Sequence, residues 1–286
     1  MKKIKTEVKS GFIWEDPEGK HIIACGDVCD VKFLTKLLKL KNGIDSFHLT
    51  LADPPYVISS KQRINLKGRK DMFLNEEWDC LTEEAMEDLI ERFCSAAFKV
   101  THSGNIWVWT SDWWLSNIKR TLRNLSLRVW PTYVWCKSNP AFQIRKSNLA
   151  SACEFLAMSS ASGNYFNLDS LPRQRNWFVA HSDGEFTPAI SPSWVERPVV
   201  HAAERLRRDG TKGEFLNRAQ KPLDVTEALI RSGCPINGLV FDCFGGTGTT
   251  LVASDRANRN CIYVDLDPKQ VRAAAQRLIK DRKRRE

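Results

Sequence analysis

Between Gly238 and Lys280 the chain carries the pattern that most narrows its choice of fold. Gly238-Leu239-Val240-Phe241-Asp242-Cys243 is an apolar run of strand length that passes directly into Phe244-Gly245-Gly246-Thr247-Gly248-Thr249-Thr250. A helical stretch to Ala257, a second strand-like run from Asn260 to Asp265 and a helix from Pro268 to Lys280 follow. Strand, glycine-rich turn, helix and strand in this order form a βαβ unit, which places the two strands parallel in one sheet. Proline at the start of the last helix suits a first turn. Glycines in the turn let the backbone pass close to a ligand, and the helix start presents free N–H groups. The run is neither G-x-G-x-x-G nor G-x-x-x-x-G-K-[ST], and without the lysine a P-loop ATPase is disfavoured. The glycines alone fit a tight structural turn equally well. Asp265 tips the balance, because an acid ending the second strand can accept both hydroxyls of a ribose.

A second α/β stretch lies near the start. Ile22 to Cys25 reads as a buried strand, Asp30 to Leu40 as a helix with a stripe at Val31, Leu34, Leu37 and Leu38, and Phe47 to Ala52 as another strand. That strand runs into Asp53-Pro54-Pro55-Tyr56, whose prolines stop the ladder, so the four residues sit at a strand's C-terminal end. Ligands bind along that edge of an open α/β sheet. Residues 57–80 read as a loop. Thr82 caps a helix with a stripe at Met86, Leu89, Ile90, Phe93 and Ala97. Ile106 to Trp109 is a strand, Asp112 to Leu125 a helix, and Val129 to Cys136 and Ala152 to Met158 two more strands. From Ser159 to Ala219 periodicity fails, with glycines and prolines throughout and Tyr165, Phe166, Trp177, Phe178 and Trp194 among them. So long a structureless loop is improbable inside a compact domain, and a small irregular subdomain is expected there. Regularity returns with a helix over Asp224 to Arg231.

Composition excludes several classes. Hydrophobic residues at 42% and charged residues at 27% argue against wholesale disorder. The apolar runs fall short of the roughly 18 residues a membrane span requires, and the N-terminus lacks an apolar leader core. The nine cysteines contain no C-x-x-C pair and the histidines no H-x₃₋₅-H pair, so no metal is expected, and the thiols read as reduced in a cytoplasmic protein. The net charge of +9 favours an anionic partner. From Trp113 to Cys153 there are seven basic residues and no acid, and Val57 to Asn75 carries a net +4. These two runs read as a nucleic-acid surface, whereas the basic tail from Lys269 to Glu286 reads as a solvated helix end.

The Asp-Pro-Pro-Tyr turn suits one chemistry. An aryl amine is a poor nucleophile because its lone pair is delocalised into the ring. Asp53 and the Pro54 carbonyl, held rigid by two prolines, can each accept one amino proton, so that the nitrogen pyramidalises and its lone pair becomes available. Tyr56 offers a ring face to a base swung out of its stack. A lone turn of this composition is equally well a proline-stiffened corner.

Together, Asp53-Pro54-Pro55-Tyr56 and Phe241 to Thr249 resemble the amino-group DNA methyltransferases that depend on S-adenosylmethionine. The tetrapeptide precedes the glycine-rich turn, as in the permuted β class. Cys25-Gly26-Asp27, Glu77-Trp78-Asp79, Trp135-Cys136-Lys137-Ser138-Asn139 and Ala219-Gln220-Lys221-Pro222 resemble further family motifs. The resemblance covers about residues 20–158 and 218–280, and Asp265 stands where the family usually has a glutamate. It implies an α/β, Rossmann-like fold: a mostly parallel seven-stranded sheet with helices on both faces, plus an irregular target-recognition insertion. Residues 1–158 form the catalytic part, 159–217 the target-recognition region and 218–286 the cofactor part. Asp53, Pro54, Pro55 and Tyr56 are the implied catalytic residues. Asp27, Asp53, Lys221, Asp242, Phe244, Gly245, Gly246, Thr247, Gly248, Thr249 and Asp265 are the implied cofactor contacts. Lys61, Arg63, Lys67, Arg69, Lys119, Arg120, Arg123, Lys137, Arg145, Lys146, Arg173 and Arg175 are the expected DNA contacts. Asp in the tetrapeptide points to adenine-N6 methylation, with cytosine-N4 as the alternative and a non-catalytic nucleic-acid-binding module as the third reading. DNA is the implied partner, with no membrane; a cognate restriction endonuclease, and a monomer or a homodimer, stay open.

Overall fold

The computed structural model describes residues 7–41, 43–56, 81–139, 152–161, 164–172, 178–180, 186–188, 193–200 and 219–286. Its strands are β1 (Ile13–Glu15), β2 (His21–Cys25), β3 (Leu49–Ala52), β4 (Asn105–Thr110), β5 (Arg128–Val129), β6 (Tyr133–Lys137), β7 (Cys153–Ser160), β8 (Phe178–Ala180), β9 (Phe186–Pro188), β10 (Trp194–Arg197), β11 (Leu239–Asp242) and β12 (Asn260–Asp265). The helices are α1 (Val31–Lys39), α2 (Glu83–Val100), α3 (Asp112–Asn124), α4 (Leu223–Gly233), α5 (Thr249–Arg256) and α6 (Pro268–Arg285). Short side chains start three of the helices, Thr82 as expected. Asp30 accepts from the Lys32 and Phe33 N–H groups, Thr82 from Ala85, and Asp267 from Lys269 ahead of Pro268.

The main sheet has the order β1-β2-β12-β11-β3-β4-β7-β6-β10, with β5 paired to β7, while β8 and β9 form a separate ribbon. The sheet therefore has ten strands and is mixed, which corrects the expected seven. Its seven central strands, β2 to β6 in that order, include six of one sense, with β7 opposed. Two of the extra strands are edge pieces too short to leave a periodic signal, β1 antiparallel to β2 and β10 parallel to β6, and the third, β5, pairs with β7 beside β6. The strand expected over Val129 to Cys136 is broken into β5 and β6. Pro131 lacks an N–H, and the register shifts by one residue between Val129↔Ser159 and Tyr133↔Leu156, a bulge on the proline side.

Strand alternation divides the core between two faces. Ile22, Ala24, Ile106, Val108, Phe241, Ile262 and Val264 pack with α1, α2 and α3 through Leu34, Ile90, Phe93, Trp114 and Ile118. On the other face Leu49, Trp107, Trp109 and Val240 meet α4 through Val225 and Leu229, and Ile23 and Tyr263 meet α5 and α6 through Leu251, Val271 and Ala274. Helices on both faces agree with the expectation. Both faces being covered also explains why β2, β3 and β4 read as continuous apolar runs.

The basic tail departs from its reading as a solvated end. Arg282 is 6% exposed and reaches Asp16 at 2.9 and 3.0 Å and Asp255 at 3.0 Å. Arg277 donates to the Thr249 hydroxyl at 2.9 Å, and Arg285 also pairs with Asp255. One face of α6 is thereby tied to α5 and to the turn after β1, because the acids it meets lie on those distant segments. No helix among the described residues is long and apolar enough to cross a membrane, and no cluster there is built to hold a metal ion. The described cysteines are free.

Candidate active site

The parallel strands β2, β12, β11, β3 and β4 all end on one edge, and the chain winds away from β3 and β11 in opposite directions. A crevice opens at such a reversal. Asp53 follows β3, Asp242 ends β11, Asp265 ends β12, and Gly26-Asp27 follow β2.

The glycine-rich turn is held from two sides. Gly246 donates its N–H to Asp265 Oδ2 at 2.7 Å, and its carbonyl accepts from the Tyr263 hydroxyl at 2.7 Å. A Cβ on Gly245 would sit 2.0 Å from the Tyr263 ring, and Gly248 takes φ +75°, a backbone that side chains disfavour. Asp265 Oδ1 accepts from the Asp267 N–H at 2.8 Å, so among the described residues each oxygen keeps one further lone pair. Burial pushes the Asp265 carboxyl up to about 6, against the pull of those two N–H groups. Asp242 is buried, its Oδ2 has no partner among the described residues, and burial with the nearby Asp265 and Asp53 charges raises its carboxyl well above the usual range. Under-satisfied carboxylates beside a glycine cradle fit a ligand that brings hydroxyl donors and positive charge.

Other expected contacts are placed less directly. Thr247 and Thr249 are buried, with hydroxyls engaged by Gln220 and Arg277. Phe244 packs edge-on against Phe93, and Asp27 is exposed, accepting from the Cys29 N–H at 2.8 Å.

Asp53 sits in a tight polar cluster. Lys221 Nζ lies 2.7 Å from Asp53 Oδ1, 2.6 Å from Oδ2 and 3.1 Å from Glu154 Oε2. The Tyr56 hydroxyl is 3.0 Å from both Asp53 Oδ1 and Glu154 Oε2, and Lys137 Nζ is 2.9 Å from Glu154 Oε1. Trp114 Nε1 donates to the Tyr56 carbonyl at 3.1 Å, which fixes the turn's exit. Burial raises the Asp53 carboxyl, Lys221 opposes this, and the Glu154 charge adds to it; the net direction is up. Lys221, drawn to the two acids, is raised despite its burial.

Two basic residues are held by acids. Lys137, expected on DNA, has a side chain 15% exposed and paired with Glu154. Arg197, in the segment read as sequence-selecting, is held by Asp224 at 2.6 Å. Arg120 and Arg123 are exposed on α3, and Lys119 is half-buried there. Lys61, Arg63, Lys67, Arg69, Arg145, Lys146, Arg173, Arg175 and the Glu77-Trp78-Asp79 motif lie outside the described residues. Glu154 was missed: its only sequence signal is a charge inside the apolar run Ala152 to Met158.

Residues 47–276 match the N6/N4 family model described as DNA methylase. The chain belongs to the N6/N4 DNA methylase family. Among its relatives, the type II methyltransferase M.HinfI of Haemophilus influenzae is 24% identical over 261 residues, 86% of this chain and 66% of that protein, so the chain spans just under two thirds of that relative. The type II methyltransferase M2.LlaDCHI of Lactococcus lactis subsp. cremoris is 24% identical over 82% of this chain and 83% of its own. The fold is similar to the M1.HpyAVI–SAM complex, with a TM-score of 0.56, 18% identity and coverage of 87% of this chain and 96% of that one. It is also similar to the cytosine-N4-specific PvuII DNA methyltransferase, with a TM-score of 0.64, 16% identity and coverage of 99% and 96%.

Proposed function

We propose that this member of the DNA methylase family transfers a methyl group from S-adenosylmethionine to the exocyclic N6 of adenine in DNA, in the β-class arrangement with the catalytic strand ahead of the cofactor strand. The observation that carries the reading is Asp53: a carboxylate at the end of β3, next to the cradle strand β11, with one acceptor site left over. Lys221 takes one lone pair on each Asp53 oxygen and the Tyr56 hydroxyl, its single proton shared with Glu154, reaches Oδ1, so the described residues leave one Oδ2 lone pair for an amine. The cofactor supplies a methyl group activated on a sulfonium. Asp265 has lone pairs for its ribose hydroxyls, and the acids Asp242, Asp265 and Asp27 suit its positive charge. Asp53 and the Pro54 carbonyl draw the amino protons, the nitrogen lone pair forms the new N–C bond, the C–S pair stays on sulfur, and Asp53 receives the proton released.

DNA approaches across the same edge. Arg120 and Arg123 lie on the exposed face of α3 with Trp113, which is 73% exposed, an arrangement of guanidinium and aromatic groups that suits a nucleic-acid strand. We assign residues 1–158 and 218–286 to chemistry and cofactor, and 159–217 to target recognition, in a cytoplasmic enzyme. Cytosine-N4 is the second reading, favoured by the likeness to the PvuII enzyme. Incubation with S-adenosylmethionine and mixed-sequence DNA, followed by digestion to nucleosides and mass spectrometry, decides between them. N6-methyladenine is the expected product; N4-methylcytosine alone would establish the second reading, and no methylated base would exclude both.

A further inference from the structure

We propose that Glu154 is a positioning residue for the methyl transfer: one largely buried carboxylate that contacts both groups orienting Asp53, sharing with it the single proton of the Tyr56 hydroxyl and accepting from the Lys221 ammonium. The inference rests on the reading of Asp53 as the acceptor of the target amine.

Four separate segments meet at Glu154. The residue lies near the start of β7, opposite Trp135 on β6, and its side chain is 14% exposed. Because β7 runs against its neighbours, its beginning lies at the edge where β3 and β4 end. Lys137 at the end of β6 takes Oε1 at 2.9 Å. Oε2 is shared by Tyr56, which follows β3, at 3.0 Å and by Lys221, which precedes α4, at 3.1 Å. A residue needed only to neutralise Lys137 would have no reason to offer its second oxygen to the two partners of Asp53.

The consequences are geometric and electrostatic. With Glu154 in place, Lys221 divides its three N–H groups between two carboxylates, and the Tyr56 ring is fixed at both its hydroxyl and its backbone carbonyl. The free Oδ2 lone pair of Asp53 is thus left in one orientation, and small displacements of a catalytic group carry large rate penalties. Two acids and two lysines also make the cluster neutral as drawn. Removing the Glu154 charge leaves Lys221 to Asp53 alone and takes from Lys137 the carboxylate it pairs with.

The charged groups around Asp53 are Lys221 and Glu154, with Tyr56 and, on β11, Asp242. Around Glu154 they are Lys221 and Lys137, which overcome its burial and hold its carboxyl below the usual range, with Tyr56 and Asp53 beside them. Glu154→Gln keeps the shape and two hydrogen-bonding positions but deletes a negative charge that pushes Asp53 up, so Asp53 should ionise at lower pH. Glu154→Ala deletes the contacts as well.

The test uses the full chain and two readouts. Carboxyl-¹³C aspartate NMR, with Asp53 assigned from Asp53→Asn, follows its titration without cofactor or DNA, and the midpoint is expected to fall in Glu154→Gln. Single-turnover methylation is expected to fall ~10²-fold in Glu154→Ala and less than ~10-fold in Glu154→Gln, with S-adenosylmethionine affinity by calorimetry nearly unchanged in both. An Asp53 midpoint that does not move in Glu154→Gln, or a folded Glu154→Ala with wild-type turnover, overturns the proposal. Equal losses in both variants, matched by equal losses of thermal stability, reduce Glu154 to a structural ion pair and overturn it too. A wild-type protein that methylates no DNA is a different result: it overturns the proposed function, whatever the variants do.

Discussion

At the scale of single residues, the site turns on carboxylates placed where water is scarce. Asp53 is useful because its partners leave it one directed lone pair, so truncation should remove transfer while sparing cofactor binding. Asp53→Ala is expected to slow single-turnover methylation by about 10²–10³-fold, the usual cost of losing a preorganised charge-stabilising group. Cofactor affinity by calorimetry should change far less, and a variant turning over like wild type would remove Asp53 from the chemistry. Asp265 shows the opposite economy. Its folded ionisation, at about 6, lies above that of an unfolded aspartate, so ionising it opposes folding. The penalty is absent below the unfolded value, grows as pH rises between the two and is complete above the folded one. Asp265→Asn loses one of the two N–H bonds the carboxylate accepts at either pH, but it also removes the ionisation penalty, so relative to wild type the cofactor-free variant should fare better at pH 8 than at pH 4. The difference is on the order of 1–2 kcal/mol, below the full linkage value because the residue keeps some exposure. The same variant should bind S-adenosylmethionine more weakly. Thermal melts at the two pH values, with calorimetry at pH 8, check both halves; the same stability difference from wild type at both pH values would refute the reading of a strained acid.

At the scale of elements, α6 is the helix whose role changed most between sequence and structure. Its charged residues lie on two faces, and one of them is buried: Arg282 bridges Asp16 and Asp255, which lie in the turn after β1 and on α5, while His21 Nε2 on β2 is 2.9 Å from Asp255. Hydrogen bonds from His21 and Arg282 overcome the burial of Asp255 and hold its carboxyl well below the usual range. A depressed acid contributes stability above its unfolded value and loses that contribution as pH falls toward the folded one. Arg282→Ala leaves Asp16 and Asp255 buried without their common partner and is expected to cost about 3–5 kcal/mol in urea denaturation. Arg284→Ala, on the exposed side of the same helix, should cost less than about 0.5 kcal/mol. Equal effects would mean the buried network carries no weight.

At the scale of the whole molecule, the sheet gathers acids at one edge and leaves basic groups on the flanking helix α3. In the proposed reading the cofactor edge carries the acids and the DNA side the basic groups, a division that a net charge of +9 conceals. Arg120→Ala and Arg123→Ala should weaken DNA binding about equally for every sequence and flatten the dependence of log K on log salt by about one unit each, as expected when a phosphate contact is lost. Fluorescence anisotropy at several salt concentrations measures this; an unchanged slope in both would place the DNA backbone elsewhere. Arg197 should behave differently, since its partner is Asp224, and its substitution should change stability more than salt dependence.

How much could be read in advance follows from the range of the interactions. The βαβ unit, the helix caps, the glycine-rich turn and the proline-stiffened end of β3 are local: a few adjacent residues with special backbone or capping chemistry dictate each one, and they sit where the sequence places them. The seven central strands were legible for the same reason, as apolar runs of the right length, while β1 and β10 are short edges whose existence depends on a neighbour already being present. The Asp53 cluster was legible only in part. Lys137 reads as a DNA contact because the run from Trp113 to Cys153 carries seven basic residues and no acid, and nothing local reveals that an acid on β7 faces it. The register Trp135↔Glu154 and the reversed sense of β7 bring those two charges together, and the packing of α4 delivers Lys221 to both carboxylates. Local chemistry, written in contiguous residues, was set by the sequence alone. Which distant charges neutralise one another was decided by the tertiary structure, because burial penalises any unpaired ion and only the assembled sheet determines which ions are buried together.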